Sequence, residues 1–119
     1  MSAPTIVAVI TDLMFQSRLQ EQARALGYEV VVAETPDAIA QALSDGAALV
    51  VVDLHAGVDW QRSVALAKER AVPVLAFGRH TEAQLLRSAR EAGCDRVVPR
   101  STFVEELPRL VEELTGAKT

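Results

Sequence analysis

The stretch Leu49-Val50-Val51-Val52-Asp53 decides the fold of this 119-residue chain. Its four apolar residues do not alternate with polar ones, and three are β-branched. A strand of that kind is covered on both faces, as in a parallel sheet. Similar short runs stand at Thr5–Ile10, Glu29–Ala33, Pro73–Phe77 and Arg96–Val98. Segments with helical spacing separate them. Strands alternating with helices predict one α/β domain over residues 1–119: a five-stranded parallel sheet with helices on both faces.

Composition agrees with that reading. Half of the residues are hydrophobic, which argues against a disordered chain. At this size about two-thirds of the unfolded surface is removed from water, enough for one core. The longest apolar runs are too short to span a bilayer and no signal-peptide pattern is seen, so a cytoplasmic, non-membrane protein is expected. A net charge of −4 argues against a nucleic-acid surface. The lone Cys94 excludes an internal disulfide and a Cys-rich zinc site.

Local signals punctuate the helices. Asp12 is the expected N-cap of the first, which buries Phe15, Leu19, Ala23 and Leu26 and stops at Gly27. Thr35 caps the second, with Pro36 at its first position. The third follows Asp59. The fourth opens with Thr81-Glu82-Ala83-Gln84, a capping box, and stops at Gly93. The fifth runs from about Phe103 to Leu114. Pro108 inside it demands a late start or a kink, because an interior proline costs about 3 kcal/mol.

Right-handed crossovers favour the flavodoxin-like (βα)5 order 2-1-3-4-5. Ligands of such sheets bind at the carboxyl ends of the strands, beside the first and third. The residues there are Thr11 and Asp12, then Asp53 to Gly57, then Gly78, Arg79 and His80, then Pro99, Arg100 and Ser101. Asp53 is the most informative. It is a nucleophile, a metal ligand or an anchor for its own loop.

The order and spacing of several pieces then resemble the receiver domain of bacterial two-component response regulators. The pieces are Leu26-Gly27-Tyr28-Glu29-Val30, Val50-Val51-Val52-Asp53-Leu54, Val72-Pro73-Val74-Leu75 and Ala92-Gly93-Cys94-Asp95. The resemblance covers nearly the whole chain. It implies that Asp53 holds the position of the phospho-acceptor, served by a histidine kinase. It also implies a Mg²⁺ ion on an acidic pair, a hydroxyl and a lysine. Counting from Gly27 puts the acidic pair at Ile10 and Thr11, with Asp12 one residue late. The hydroxyl position falls on Gly78, the lysine on Arg100 and the switch aromatic on Val97.

The expectation is therefore an atypical receiver module, not an enzyme. It would act in signal transduction through protein contacts, without conventional Mg-dependent phosphorylation and with no cofactor. Arg79 or Arg100 would pair with Asp53 and lock one conformation. The partner is a regulatory protein or a histidine kinase. The face of helix four, strand five and helix five would receive it, through Arg87, Arg90, Asp95, Val97 and Arg109, or form a homodimer. Two alternatives stand beside this. One is a working receiver in which Asp12 and Asp53 hold Mg²⁺ and Arg100 replaces the lysine. The other is a small-ligand or metal-binding domain, with Asp53, His55 and His80 as ligands.

Overall fold

The computed structural model describes residues 3–116. Five parallel strands, β1 (Thr5–Val9), β2 (Glu29–Val32), β3 (Leu49–Asp53), β4 (Val74–Gly78) and β5 (Arg96–Pro99), form one sheet in the order β2-β1-β3-β4-β5. The helices are α1 (Leu13–Ala25), α2 (Pro36–Ser44), α3 (Trp60–Glu69), α4 (Ala83–Glu91) and α5 (Arg100–Thr115). The expected fold class and strand order are both observed. Among the described residues, no helix is long and apolar enough to cross a membrane.

Successive side chains of a strand point to opposite faces, and here both faces are apolar. Val7, Val9, Val50, Val52, Val74 and Ala76 pack with residues of α2, α3 and α4. Ile6, Ala8, Leu49, Val51, Leu75 and Phe77 pack with residues of α1 and α5. All five residues of β3 are buried, so its central place follows from its sequence. Val97 belongs to the first cluster and is buried, which corrects its placement on a partner surface. Even the edge strand β5 is covered on both sides.

The caps show local chemistry at work. Asp12 accepts from the Met14 and Phe15 amides, Thr35 from Ala38 and Asp59 from Arg62. The fourth helix departs from expectation. Its N-cap is Glu82, without a side-chain bond, and Thr81 caps nothing. The connection after β4 is a turn closed by the Glu82 amide on the Arg79 carbonyl, at 3.0 Å. That turn carries the chain one residue past the capping box.

The last helix starts at Arg100, three residues before its expected start, and is kinked at Glu106 (φ −119°, ψ 17°). The kink answers Pro108. Proline has no N–H for the carbonyl four residues back, at Val104. That carbonyl instead accepts from the Arg18 guanidinium of α1 at 3.3 Å. The broken rung of α5 thus becomes a tie to α1.

Three helices end alike. After α1, Tyr28 and Gly27 donate to Ala23 and Arg24; after α4, Cys94 and Gly93 donate to Ala89 and Arg90. After α3, Val72 and Ala71 donate to Ala67 and Lys68. This is the Schellman pattern, which needs a left-handed residue after the cap. Gly27 (φ 90°) and Gly93 (φ 102°) supply it cheaply, whereas Ala71 adopts it at φ 56°. A left-handed L-residue costs about 1–2 kcal/mol. Ala71→Gly is therefore expected to stabilise the fold by about 0.5–1 kcal/mol, after allowing for the added freedom of glycine when unfolded. Urea denaturation of the two proteins checks this.

Candidate functional site

The sheet order places the ends of β1, β3 and β4 side by side. Asp53, the last residue of β3, lies in register with Phe77 of β4 and is 2% exposed. A buried carboxylate needs donors. The backbone N–H of His55 donates to its Oδ1 at 2.9 Å, folding the chain back over the strand end.

That turn carries the His55 ring across to β4. Its Nε2 accepts from the backbone N–H of Arg79 at 3.0 Å. Gly78 makes room for it. A Cβ on Gly78 would stand 3.2 Å from His55 Nε2, 3.2 Å from Leu86 Cδ2 and 3.4 Å from Leu54 Cδ1. The imidazole thus sits in tight contact with the place a Cβ at position 78 would take.

The loop after β1 closes the other side. Thr11 Oγ1 donates to the Ala56 carbonyl at 3.1 Å. Ile10 is fully buried, and its carbonyl accepts from Gln16 Nε2 at 2.6 Å. Asp12 is committed to the first turn of α1 through its Oδ1.

The two expected cations do not reach Asp53. Among the described residues no ion pair joins it to Arg79 or Arg100, which corrects the proposed lock. Arg79 is exposed and enters the site only through its backbone N–H. Arg100 lies over the Phe15 ring, 5.3 Å from guanidinium carbon to ring centroid, with a buried Nε that has no partner. Phe15 in turn meets Phe77 at 5.1 Å, and Phe77 stacks on Phe103 at 4.0 Å. A cation over an aromatic face gains electrostatic attraction while keeping its stem dry. The aromatic cluster on the α1/α5 face therefore holds Arg100. Nor do Asp53, His55 and His80 assemble as ligands: no group of three metal-ligating side chains forms among the described residues.

The expected partner face is largely tied up within the chain. Asp95 accepts from the Val74 amide at 2.8 Å and from Lys68 Nζ at 3.0 Å. Arg96 pairs with Glu113 at 2.9 Å, and Arg109 pairs with Glu106 and Glu113. Arg87 and Arg90 are exposed on α4. Burial first and the Asp95 carboxylate second push the Cys94 thiol up to about 11, so it is not a thiolate at neutral pH.

Sequence reasoning missed one surface. Leu13 and Met14 open α1 at the rim and are 74% and 82% exposed. Shallow clefts lined by Leu13, Ser17, Arg18 and Glu21 on one side, and by Phe15, Arg18 and Val104 on the other, flank Met14. The signal was there. The face set by Phe15, Leu19, Ala23 and Leu26 leaves two large apolar residues out of phase.

No family model and no curated protein matches this sequence. Solved structures do match in fold. A response regulator from Thermotoga maritima superposes with a TM-score of 0.80 at 16% identity, over 97% of this chain and 99% of that one. The receiver domain of NtrX from Brucella abortus gives 0.79 at 17% identity, over 96% and 99%. The receiver domain of a sensor histidine kinase from Pseudomonas aeruginosa PAO1, solved with magnesium coordinated in its active-site cleft, gives 0.76 at 19%, over 98% and 100%. Against a longer NtrX chain the match spans 27% of that protein. The chain has the receiver fold.

Asp95 yields a test in pH. Its partial burial raises its carboxyl, but the Val74 amide and the Lys68 ammonium outweigh this and hold it below the usual value. A depressed folded value means stability that is present above the unfolded carboxylate value, about 3.9, and lost as pH falls through the folded one. Asp95→Asn keeps an acceptor for Val74 but not the charge. It is expected to cost under about 1 kcal/mol at neutral pH, since the pair is over a third exposed. The deficit should narrow as pH drops below about 4, read from denaturation midpoints across that range.

Proposed function

We propose that this receiver-fold chain is a regulatory module of two-component-type signalling that works through protein contacts, without conventional Mg-dependent phosphorylation. One observation carries this reading. A Cβ at position 78, beside Asp53, would stand 3.2 Å from the His55 Nε2, so the imidazole crowds any side chain there. Transfer of a phosphoryl group to a carboxylate brings anion to anion and depends on charge neutralisation and positioned donors. Here Gly78 offers no hydroxyl, and Arg100 is held on Phe15.

The residues present do not fit a magnesium ion either. Mg²⁺ asks for near-octahedral oxygen ligation, with carboxylates as anchors. The acidic-pair positions carry Ile10, which is buried, and Thr11, whose hydroxyl donates to Ala56. Asp12 is turned to the amides of its own helix. Asp53 is left as a lone carboxylate.

What the module offers instead is surface. Leu13 and Met14 give an apolar contact at the rim, and Arg87 and Arg90 give a basic one on α4. Buried apolar anchors with a charged surround are what protein partners use. The partner class is a regulatory protein or a histidine kinase. On this reading the module works in the cytoplasm and carries out no catalysis of its own.

The test is intact-protein mass after incubation with a small-molecule phosphoryl donor and Mg²⁺, beside Asp53→Asn. No adduct is expected on the folded protein. An adduct that disappears in Asp53→Asn would overturn the reading and establish the alternative, a phospho-accepting receiver at Asp53.

A further inference from the structure

Gly78 sits under two side chains that come from different directions. His55 arrives from the loop after β3 and Leu86 from α4. Each lies 3.2 Å from where a Cβ would be. Both therefore rest against a bare backbone, closer than side chains ordinarily approach a Cβ.

His55 is bonded at both ends of its residue. Its backbone N–H is fixed on Asp53 and its ring nitrogen on the Arg79 N–H. The turn beginning at Arg79 closes on Glu82, whose carbonyl then accepts the Leu86 amide in the first turn of α4 at 3.0 Å. One unbroken line of bonds thus runs from Asp53 through His55 and residues 79–82 into α4. The N-cap of α4 makes no side-chain bond, so that end is held through the backbone of this turn.

We propose that His55 is an internal latch: seated in the space left by Gly78, it bridges the end of β3 to the β4–α4 loop. It thereby holds that loop and the start of α4 in one state. The outward residues of α4, Arg87 and Arg90, are then presented in a fixed position without any ligand. The latch is independent of whether Asp53 accepts a phosphoryl group. Its failure and the failure of the proposed function would be seen in separate experiments.

Backbone amide exchange resolves it, measured at one pH on the full chain. In His55→Ala, exchange at Arg79 should rise roughly ten-fold, the scale of one lost hydrogen bond, and exchange at Leu86 should rise with it. Amides in the centre of β3 should not change. His55→Gln keeps an acceptor of similar reach and should restore part of the protection. His80→Ala, at the neighbouring histidine, should leave Arg79 unchanged. Unaltered exchange at Arg79 in His55→Ala, or an equal rise in His80→Ala, overturns the latch. Should His55→Ala unfold, Gly78→Ala decides in its place. Its Cβ would stand 3.2 Å from the ring nitrogen; the latch requires Arg79 to lose protection there, and unchanged exchange overturns the proposal.

Discussion

The structure depends on one constraint: a strand buried on both faces ends in a carboxylate. Burial of Leu49 to Val52 between two layers of helices sets β3 at the centre of the sheet. The hydrophobic effect rewards that placement at about 25 cal/mol per Å² of apolar surface. Asp53 must then emerge at the rim, where it needs donors. The nearest is two residues on, and the turn that supplies it throws His55 toward β4. The crevice is arranged by what a buried carboxylate requires.

Features that depend on neighbours in sequence were legible before the fold was known. The apolar runs gave all five strands to within a residue or so. Asp12, Thr35 and Asp59 cap as their chemistry dictates, and Gly27 and Gly93 stop their helices. Features that depend on neighbours in space were not. Thr81 has the right sequence for a capping box, but a turn closed by Arg79 displaces the helix. Arg100 has the right charge to meet Asp53, but it lies over the face of Phe15. Gly78 read as a missing hydroxyl, whereas its meaning in the fold is room for His55.

The comparison with receiver domains sharpens this contrast. The fold is shared over nearly the full chain at identities below 20%. Burial pattern and cap chemistry tolerate such divergence, because many apolar residues satisfy them. A polar site does not, because each donor and acceptor must be met in place. At the rim the chain has met them internally: Thr11 to Ala56, Asp53 to His55 and His55 to Arg79. The result is a set of loops that bind one another.

The kink in α5 has a consequence of another kind. Pro108 leaves the Val104 carbonyl open, and Arg18 of α1 takes it. Neither residue can be judged alone. Restoring an amide at position 108 closes the helix and evicts the guanidinium; removing the guanidinium strands the carbonyl that proline created. The two positions, 90 residues apart in the chain, meet at one carbonyl, so a change at either alters what the other contributes.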